Sequence, residues 1–393
     1  MTLKVRNLLL LLFIISIYMI EVDLGETLAE YQRKFFILFL GFISFYAYFK
    51  NRNSIKLSIN SKLLIIYLIY ITLTLFWSNN YTEGLVGLIG LYISILSSII
   101  VSERFKYSKI VNSIFLVLIM VISASWVFYI ILPEYTLNKE DFFRFKGITP
   151  HSGKLAQCAI LGLFIFAQGQ SVVKSRFVKI IIFLLFITTL LVTKMRSFIT
   201  FYIIISVFQY FRGRGISLLL IPLLCIFFIA IEFGALDFIL NIYKRGSGDL
   251  TDLTGRTQLW EVLISYIKEK PIFGYGYGAF KQEIIQINSW IPTHGHNLWL
   301  HQIYETGIVG NLIFQIVLVS SFLVSIKHNR IFGFSYLFYI ILFIFLGSLT
   351  GLIVGGLSTP FYAIFVIMTL SEDRRIRNFK YEIQRKDFEK IVL

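Results

Sequence analysis

The chain has 393 residues, of which 57% are hydrophobic, 17% aromatic and only 15% charged. Soluble domains carry about 25% charged residues, so this composition excludes a soluble globular fold and indicates an all-α integral membrane protein. The formal net charge is +15, which in a soluble protein would suggest a nucleic-acid partner.

Apolar stretches recur along the whole chain. About twelve transmembrane helices are predicted, with soft boundaries because several stretches are shorter than the ~20 residues of a perpendicular span. The segments are 8–20, 35–49, 63–77, 84–101, 110–132, 155–173, 177–193, 197–211, 216–235, 307–326, 331–349 and 352–370. No small-residue cleavage site follows the first segment, so an uncleaved helix is expected there.

Basic residues alternate between the predicted loops. With the N-terminus inside, the inside loops and the C-terminal tail hold most of the Lys and Arg residues, and the short outside loops hold few. Basic loops stay cytoplasmic because they resist translocation. Both termini are therefore predicted to be cytoplasmic, and the net charge reflects topology, so no nucleic-acid partner is expected. We predict a membrane domain over 1–371 and a basic cytoplasmic tail over 372–393.

Two predicted outside loops, 133–154 and 236–306, are longer than a connection needs, and loops of that length usually carry function or disorder. The second, which we predict to be the catalytic loop, contains TGRTQLWEVLISYIKEKP, where apolar residues recur with helical period from Leu259 to Ile267. Pro271, after a basic last turn, ends the pattern. We expect an amphipathic helix that lies along the outer membrane surface.

Two arginines on the outside face stand at helix ends. Arg196 lies between two closely joined helices in VTKMRSFIT, and Arg256 lies in the first turn of the loop helix, with Thr254 as N-cap. A first-turn arginine opposes the helix dipole unless an anion shares the site. A bound anionic ligand is one explanation. The alternatives are that Arg196 snorkels or pairs with Glu232, and that Arg256 is a solvated arginine.

Three of the five histidines lie in THGHNLWLHQIYETGIVG, residues 293–310. Zinc requires about four ligands, whereas His294 and His296 alternate along an extended segment and His301 lies more than a helical turn further on. No metal and no cofactor is therefore predicted. His296 precedes Asn297, a residue suited to capping a helix. A neutral imidazole there can accept a proton from a hydroxyl nucleophile, and a purely structural role for His296 stays open.

The glycine-rich stretch PIFGYGYGAF does not fit a nucleotide site, because its spacing is not G-x-G-x-x-G and no Lys-Ser/Thr follows. A tight turn flanked by aromatic residues at the membrane interface is predicted instead. Stacking of its tyrosines, Tyr275 among them, on sugar rings is a second possibility.

Taken together, these motifs resemble the bacterial O-antigen ligase and O-antigen polymerase superfamily of integral-membrane glycosyltransferases. HNLWLHQIYETGIVG is similar to its signature of His296-Asn297, nine residues and Gly307-x-x-Gly310. The segment from Arg256 to the glycine-rich stretch and the arginine of TKMRSFIT also match. The likeness covers roughly residues 60–370. One departure is Pro150-His151-Ser152, where the family usually has asparagine after the proline.

The resemblance implies transfer of a glycan, with inversion, from an undecaprenyl-diphosphate carrier at the outer face of the cytoplasmic membrane. By motif match, Arg196 and Arg256 would hold the diphosphate, and His296 would be the general base that activates the acceptor hydroxyl. The supporting residues would be Asn297, Gly307, Gly310 and Tyr275.

Within that superfamily, a short chain rich in Phe and Ile favours a polymerase of O-antigen or related repeat units. A ligase, which moves the finished chain onto lipid A–core, is the alternative. The expected partners are the lipid-linked donor, a glycan or lipid A–core acceptor, a chain-length regulator and a flippase. From a different class, a polysaccharide or lipid-linked sugar transporter also suits twelve helices.

Overall fold

The computed structural model of the chain describes residues 3–20, 22, 26–49, 57–138, 144–167, 173, 175–211, 256–281, 292, 294–348 and 359–392. The helices, in chain order, are α1 Leu3–Met19, α2 Glu26–Phe49, α3 Ile59–Thr74, α4 Tyr81–Arg104, α5 Tyr107–Ile131, α6 Pro133–Thr136, α7 Ser152–Ala167, α8 Arg176–Val192, α9 Arg196–Phe211, α10 Arg256–Glu269, α11 Leu298–Phe332, α12 Tyr336–Ser348 and α13 Pro360–Val392. Two short strands, β1 Leu137–Asn138 and β2 Arg144–Phe145, pair antiparallel, with Leu137 opposite Phe145.

The chain packs as two units, which are Met1–Leu118 with Gln258–Leu393 (unit 1) and Ile119–Thr257 (unit 2). In unit 1, α4 packs against α2 and α13, and α11 packs against α3, α12 and α13. The side chains at these contacts are mainly Leu, Ile and Phe, and many are fully buried. Ser58 caps α3 by accepting the Ser61 N–H at 3.2 Å.

Unit 2 is built around α7, which packs against α8 and α9. The indole N–H of Trp126 donates to Thr189 Oγ1 at 2.8 Å. The Trp126 ring also contacts the ring of Phe145, a fully buried residue of β2, at 4.9 Å between centroids. These contacts fix β2 onto α5 and α8, within the described part of the predicted loop over 133–154.

The helices have the length and surface of a multi-pass membrane protein. Among the described residues, four segments are long and apolar enough to cross a membrane, and they are Ile59–Trp77, Tyr81–Arg104, Tyr107–Ile131 and Leu298–Phe332. Large apolar side chains such as Phe42 and Phe76 are exposed, which suits contact with lipid. The predicted apolar segments overlap helices wherever the structure describes them, and 216–235 lies outside the described residues. The number of spans and the inside–outside topology stay predictions.

Two helix boundaries differ from those expected. The predicted segment 307–326 lies within a longer helix, α11, that begins at Leu298. The boundary placed between 371 and 372 is crossed by a continuous helix, because α13 runs from Pro360 to Val392. Glu372 is fully buried, so the packed part of α13 extends past the residue at which the tail was expected to begin.

Glu372 joins three segments of unit 1 through its carboxylate. That carboxylate accepts the Tyr107 hydroxyl at 2.9 Å, the Ser335 hydroxyl at 2.6 Å and the Leu337 N–H at 3.2 Å. His328 Nδ1 of α11 lies 3.7 Å from the same carboxylate. Burial raises the pKa of the Glu372 carboxyl to about 7. The charged form is therefore disfavoured by folding even though it accepts three hydrogen bonds.

We predict that the stability of the protein decreases as pH rises through 7, because of Glu372. Its pKa in the folded state lies above its ordinary value, so its contribution is fully present below about pH 4.5 and is lost as the pH passes about 7. Glu372→Gln cannot ionise, and the decrease between pH 5.5 and pH 8 should shrink by on the order of 1–3 kcal/mol. Thermal unfolding of the detergent-solubilised protein measures it. Identical pH dependence in both proteins would contradict the prediction.

Candidate active site

Helix α11 is interrupted at Gly307, where φ is 68° and ψ is −177°. In an uninterrupted helix the Ile308 N–H would bond to the Tyr304 carbonyl, four residues earlier. Here the Ile308 N–H donates to the carbonyl of Pro271 at 2.9 Å. The Tyr304 carbonyl accepts the N–H of Tyr275, also at 2.9 Å. A helical donor and its usual acceptor are thus both bonded to a different segment of the chain.

The next pair of helical groups does the same. The Val309 N–H donates to the Ile272 carbonyl at 3.3 Å, and the Glu305 carbonyl accepts the Gly276 N–H at 2.8 Å. All four bonds go to residues 271–278, which we call the glycine turn. The glycine turn is therefore inserted into the hydrogen-bond ladder of α11 and satisfies backbone groups that the break would leave without partners.

Glycine is required at two facing positions of this junction. Gly274 has φ of 68°, and a Cβ there would lie 2.6 Å from the Gly307 nitrogen and 2.7 Å from the Tyr304 carbonyl oxygen. A Cβ on Gly307 would collide with the carbonyl of Ile272. Both positions combine a left-handed backbone with a direct backbone contact, so any larger residue would push the turn and the helix apart.

Gly310 has a different role, because it leaves room for a side chain of α3. A Cβ at Gly310 would collide with the Thr306 side chain of the same helix and would lie 2.7 Å from the ring of Tyr70. The Tyr70 hydroxyl donates to the Thr306 carbonyl at 2.7 Å, next to the break. Gly307 and Gly310 of the G-x-x-G motif therefore admit the glycine turn and Tyr70, respectively.

The glycine turn is also held by the end of α3 and the residues that follow it. The Ser78 hydroxyl donates to the Tyr277 carbonyl at 3.0 Å, and the Tyr277 N–H donates to Thr74 Oγ1 at 3.2 Å. The indole of Trp77 donates to the carbonyl of Phe273 at 3.3 Å. Contacts from two sides therefore fix the conformation of this turn.

Helix α10 forms as the sequence predicts and packs on the glycine turn. Leu259 and Leu263, both fully buried, lie in one cluster with Tyr275 and Tyr304. The Tyr275 ring stacks on the Tyr304 ring, with centroids 4.9 Å apart and planes at 15°. The Tyr275 hydroxyl donates to Glu269 at 2.8 Å.

Tyr275 does not present its ring for stacking on a sugar in this conformation. The residue is only 5% exposed, and the Lys270 ammonium lies over its ring at 4.4 Å. Its ring joins α10 to α11, which gives Tyr275 a structural role. Sugar stacking by the tyrosines of this turn stays an untested alternative.

Residues 294–297, which we call the histidine loop, lead into α11. Asn297 caps the helix, as predicted, with its side-chain oxygen accepting the N–H groups of Trp299 at 3.0 Å and Leu300 at 3.2 Å. The Trp260 indole of α10 donates to the Gly295 carbonyl at 3.1 Å. The loop is therefore tied both to its own helix and to α10.

His296 has a positive φ of 47°, which is uncommon for a residue with a side chain. The expectation that His294 and His296 alternate along an extended segment is wrong for this reason. Their rings stack instead, with centroids 3.9 Å apart and planes at 25°. Among the residues that the structure describes, no three His, Cys, Asp or Glu side chains form a group that could hold a metal ion.

Sequence reasoning missed Glu305, because the predicted outer loop extended to residue 306. Glu305 is 7% exposed on α11. One carboxylate oxygen accepts the Gly278 N–H at 3.1 Å, and the other lies 3.7 Å from His301 Nε2. The spacing of His301 and Glu305, four residues apart on a helix, was the available signal.

Arg196 is the first residue of α9, only four residues after α8 ends at Val192. The closely joined helices expected around it are therefore confirmed. The turn between them includes Lys194, with φ of 53°. The guanidinium of Arg144, a buried residue of β2, contacts Met195 Sδ at 3.7 Å. Arg144 thus lies beside the turn that carries Arg196.

Arg256 is the first residue of α10 and is partly buried. Thr254 and Glu232, the expected cap of α10 and the expected partner of Arg196, lie outside the described residues. Arg196 belongs to unit 2 and the histidine loop to unit 1. The convergence of Arg196, Arg256 and His296 on one substrate stays a prediction.

Comparison with known proteins places these features in one family segment. Residues 181–315 match the family described as O-antigen ligase. The chain is also 33% identical over 104 residues to the exopolysaccharide production protein ExoQ of Rhizobium meliloti (strain 1021). That alignment covers 24% of this chain and 23% of the relative. The resemblance to the O-antigen ligase and polymerase superfamily is confirmed, and the family segment contains Arg196, Arg256, His296 and both glycines of the G-x-x-G motif.

We predict that Gly307→Ala separates the glycine turn from α11 and destabilises the protein. A non-glycine residue at φ of 68° and ψ of −177°, a region essentially restricted to glycine, costs about 1–3 kcal/mol, and the collision with Ile272 adds to this cost. Gly41→Ala on α2 is the matched control, since its Cβ would lie 3.7 Å from the nearest side chain. Thermal unfolding in detergent should show a lower midpoint for Gly307→Ala alone. Equal midpoints for the two variants would contradict a packing role for Gly307.

Proposed function

We propose, on the premise of the O-antigen ligase match, that this protein is an inverting membrane glycosyltransferase. It takes a glycan from undecaprenyl diphosphate and transfers it to a sugar hydroxyl. The observation that carries this proposal is the placement of the His296 imidazole just before the capped N-terminus of α11. Its φ is positive, and the preceding residue, Gly295, accepts a hydrogen bond from Trp260 of α10. Unusual backbone conformations that the surroundings over-determine cluster at functional sites.

In the proposed reaction, His296 accepts the proton of the acceptor hydroxyl as its oxygen attacks the anomeric carbon of the donor. The bond between that carbon and the diphosphate oxygen breaks as the new glycosidic bond forms, which inverts the configuration. Undecaprenyl diphosphate leaves with the bonding electron pair, and the proton on His296 then passes to water. A positioned base of this kind contributes about 10²–10⁴-fold to the rate.

Arg196 and Arg256 bind the diphosphate of the donor in this proposal. Guanidinium groups bind phosphate oxygens through paired, charge-assisted hydrogen bonds, and they stabilise the charge that develops on the leaving group. An anion at the N-terminus of α10 also offsets the unfavourable placement of Arg256 in a first helical turn. Asn297, Gly307, Gly310 and Tyr275 support the site by holding α10, the glycine turn and α11 together.

Polymerisation of repeat units is the favoured reaction within this class. Similarity to an exopolysaccharide production protein supports synthesis of a polymer over transfer of a finished chain onto lipid A–core. The reaction is placed at the outer face of the cytoplasmic membrane, with a lipid-linked glycan as donor and a second such glycan as acceptor. A flippase and a chain-length regulator are the expected protein partners.

We predict that His296→Ala lowers the transfer rate by about 10²-fold or more. His294→Ala is the matched control, because it removes the neighbouring imidazole of the same loop, and it should retain a larger share of the rate. The rate is measured as polymer formed per unit time in membranes that contain the host's lipid-linked glycan. Full activity of His296→Ala would remove the general-base mechanism and favour the transporter alternative.

We also predict that Arg256→Ala weakens use of the lipid-linked donor, whereas Lys268→Ala at the opposite end of α10 does not. Both changes remove one cation from the same helix, so net charge alone does not separate the two variants. The donor concentration that gives half-maximal rate should rise in Arg256→Ala. Equal behaviour of the two variants would exclude a specific phosphate contact.

Polymerase and ligase predict different surface polysaccharides in a host from which the gene is deleted. A polymerase deletion leaves single repeat units attached to their acceptor, whereas a ligase deletion leaves a bare acceptor and long carrier-linked chains. Gel electrophoresis of the surface polysaccharide distinguishes the two patterns. We expect the first, and the second would reassign the protein as a ligase.

A further inference from the structure

His301 is a partly buried histidine of the site that the proposed reaction does not use. It lies on the first turn of α11, and its side chain is 14% exposed. Its ring packs against the ring of Phe280, with centroids 5.0 Å apart. Each of its two ring nitrogens faces a defined partner.

The first ring nitrogen faces the histidine loop. The Gly295 N–H donates to His301 Nδ1 at 3.4 Å. Because Nδ1 accepts this hydrogen bond, it carries no proton, and the proton of the neutral ring must lie on Nε2. His301 therefore contacts the backbone one residue before His296.

The second ring nitrogen faces Glu305. His301 Nε2 lies 3.7 Å from the Glu305 carboxylate, a distance at which the N–H and the carboxylate interact electrostatically without a hydrogen bond. Glu305 also accepts the Gly278 N–H at 3.1 Å. The chain of contacts thus runs from the glycine turn, through Glu305 and His301, to Gly295 in the histidine loop.

We propose that His301 is a positioning residue for His296, acting through its Nδ1 on Gly295 and fixed in its tautomer by the Glu305 carboxylate. This inference rests on the proposed function, in which His296 is the general base. The substrate does not touch His301. Instead, His301 accepts the N–H of Gly295, and Trp260 donates to the carbonyl of the same residue. These two hydrogen bonds fix the backbone just before His296 and therefore the orientation of His296.

Two isosteric substitutions separate the two nitrogens of the ring. In His301→Asn the side-chain oxygen can take the place of Nδ1 and still accept the Gly295 N–H, while the contact with Glu305 is lost. In His301→Gln the amide nitrogen can take the place of Nε2 and face Glu305, while the acceptor for Gly295 is lost. Because both variants introduce a carboxamide, they are matched in polarity.

The first readout needs no substrate. Diethyl pyrocarbonate modifies accessible neutral imidazoles, and mass spectrometry of the peptide that contains His296 gives its modification rate in the full-length protein in detergent. The rate at His296 should rise about fivefold or more in His301→Gln, because the loop loses one hydrogen bond. It should stay close to the wild-type rate in His301→Asn.

The second readout is the transfer rate in membranes that contain the host's lipid-linked glycan. We expect His301→Gln to lose about 10- to 100-fold, the loss that misplacement of a catalytic group causes. His301→Asn should retain most of the rate, and the concentration of donor at half-maximal rate should change in neither variant. Glu305→Gln, which keeps an acceptor for the Gly278 N–H, should lie between the two.

The outcomes distinguish this inference from the proposed function. If His301→Gln matches the wild type in both readouts, or if His301→Asn is impaired as much as His301→Gln, then His301 does not position the loop. If His296→Ala is fully active, the proposed function fails. In that case the modification rates still test whether His301 holds the histidine loop.

Discussion

The insertion of the glycine turn into α11 is the constraint on which the rest of the site depends. A break in a helix leaves backbone groups without partners, and in or near a membrane such groups are costly. Here the four groups around Gly307 bond to the turn. The backbone hydrogen bonds between the turn and α11 therefore set the position of α11 relative to the turn.

From this junction the position of α10 follows. The stacked rings of Tyr275 and Tyr304 lie over the inserted turn, and the buried leucines of α10 pack on the same cluster. Trp260 on α10 then reaches the histidine loop. One short helix thus packs on the glycine turn and also contacts the residue before His296.

Buried polar groups occur at both ends of α11 in unit 1. Near its start, His301 lies 3.7 Å from Glu305, and near its end His328 lies 3.7 Å from Glu372. In each pair the carboxylate also accepts a backbone N–H from another segment. Polar groups that are buried and satisfied in this way favour one arrangement of the helices, since any other arrangement would leave them without partners.

The amino-acid sequence by itself determined the helical membrane class, the positions of most helices, the amphipathic α10, the Asn297 cap and the family to which the motifs point. These features depend on local periodicity and spacing, which a linear pattern records directly. It also marked Gly307 and Gly310 as a pair, without indicating what each one accommodates.

Only the tertiary structure decided that Gly307 breaks α11, that Tyr275 is buried against Tyr304, and that Glu305 and Glu372 are inside the protein. Each of these depends on residues far apart in the chain: Gly307 meets Ile272, Gly278 meets Glu305, and Tyr107 meets Glu372. The sequence pattern placed a loop before residue 307 and an apolar segment after it, and nothing local predicts that the glycine turn, some thirty residues earlier, supplies hydrogen bonds to this part of α11. The physical reason is that backbone donors and acceptors can find partners in any segment that folding brings near them.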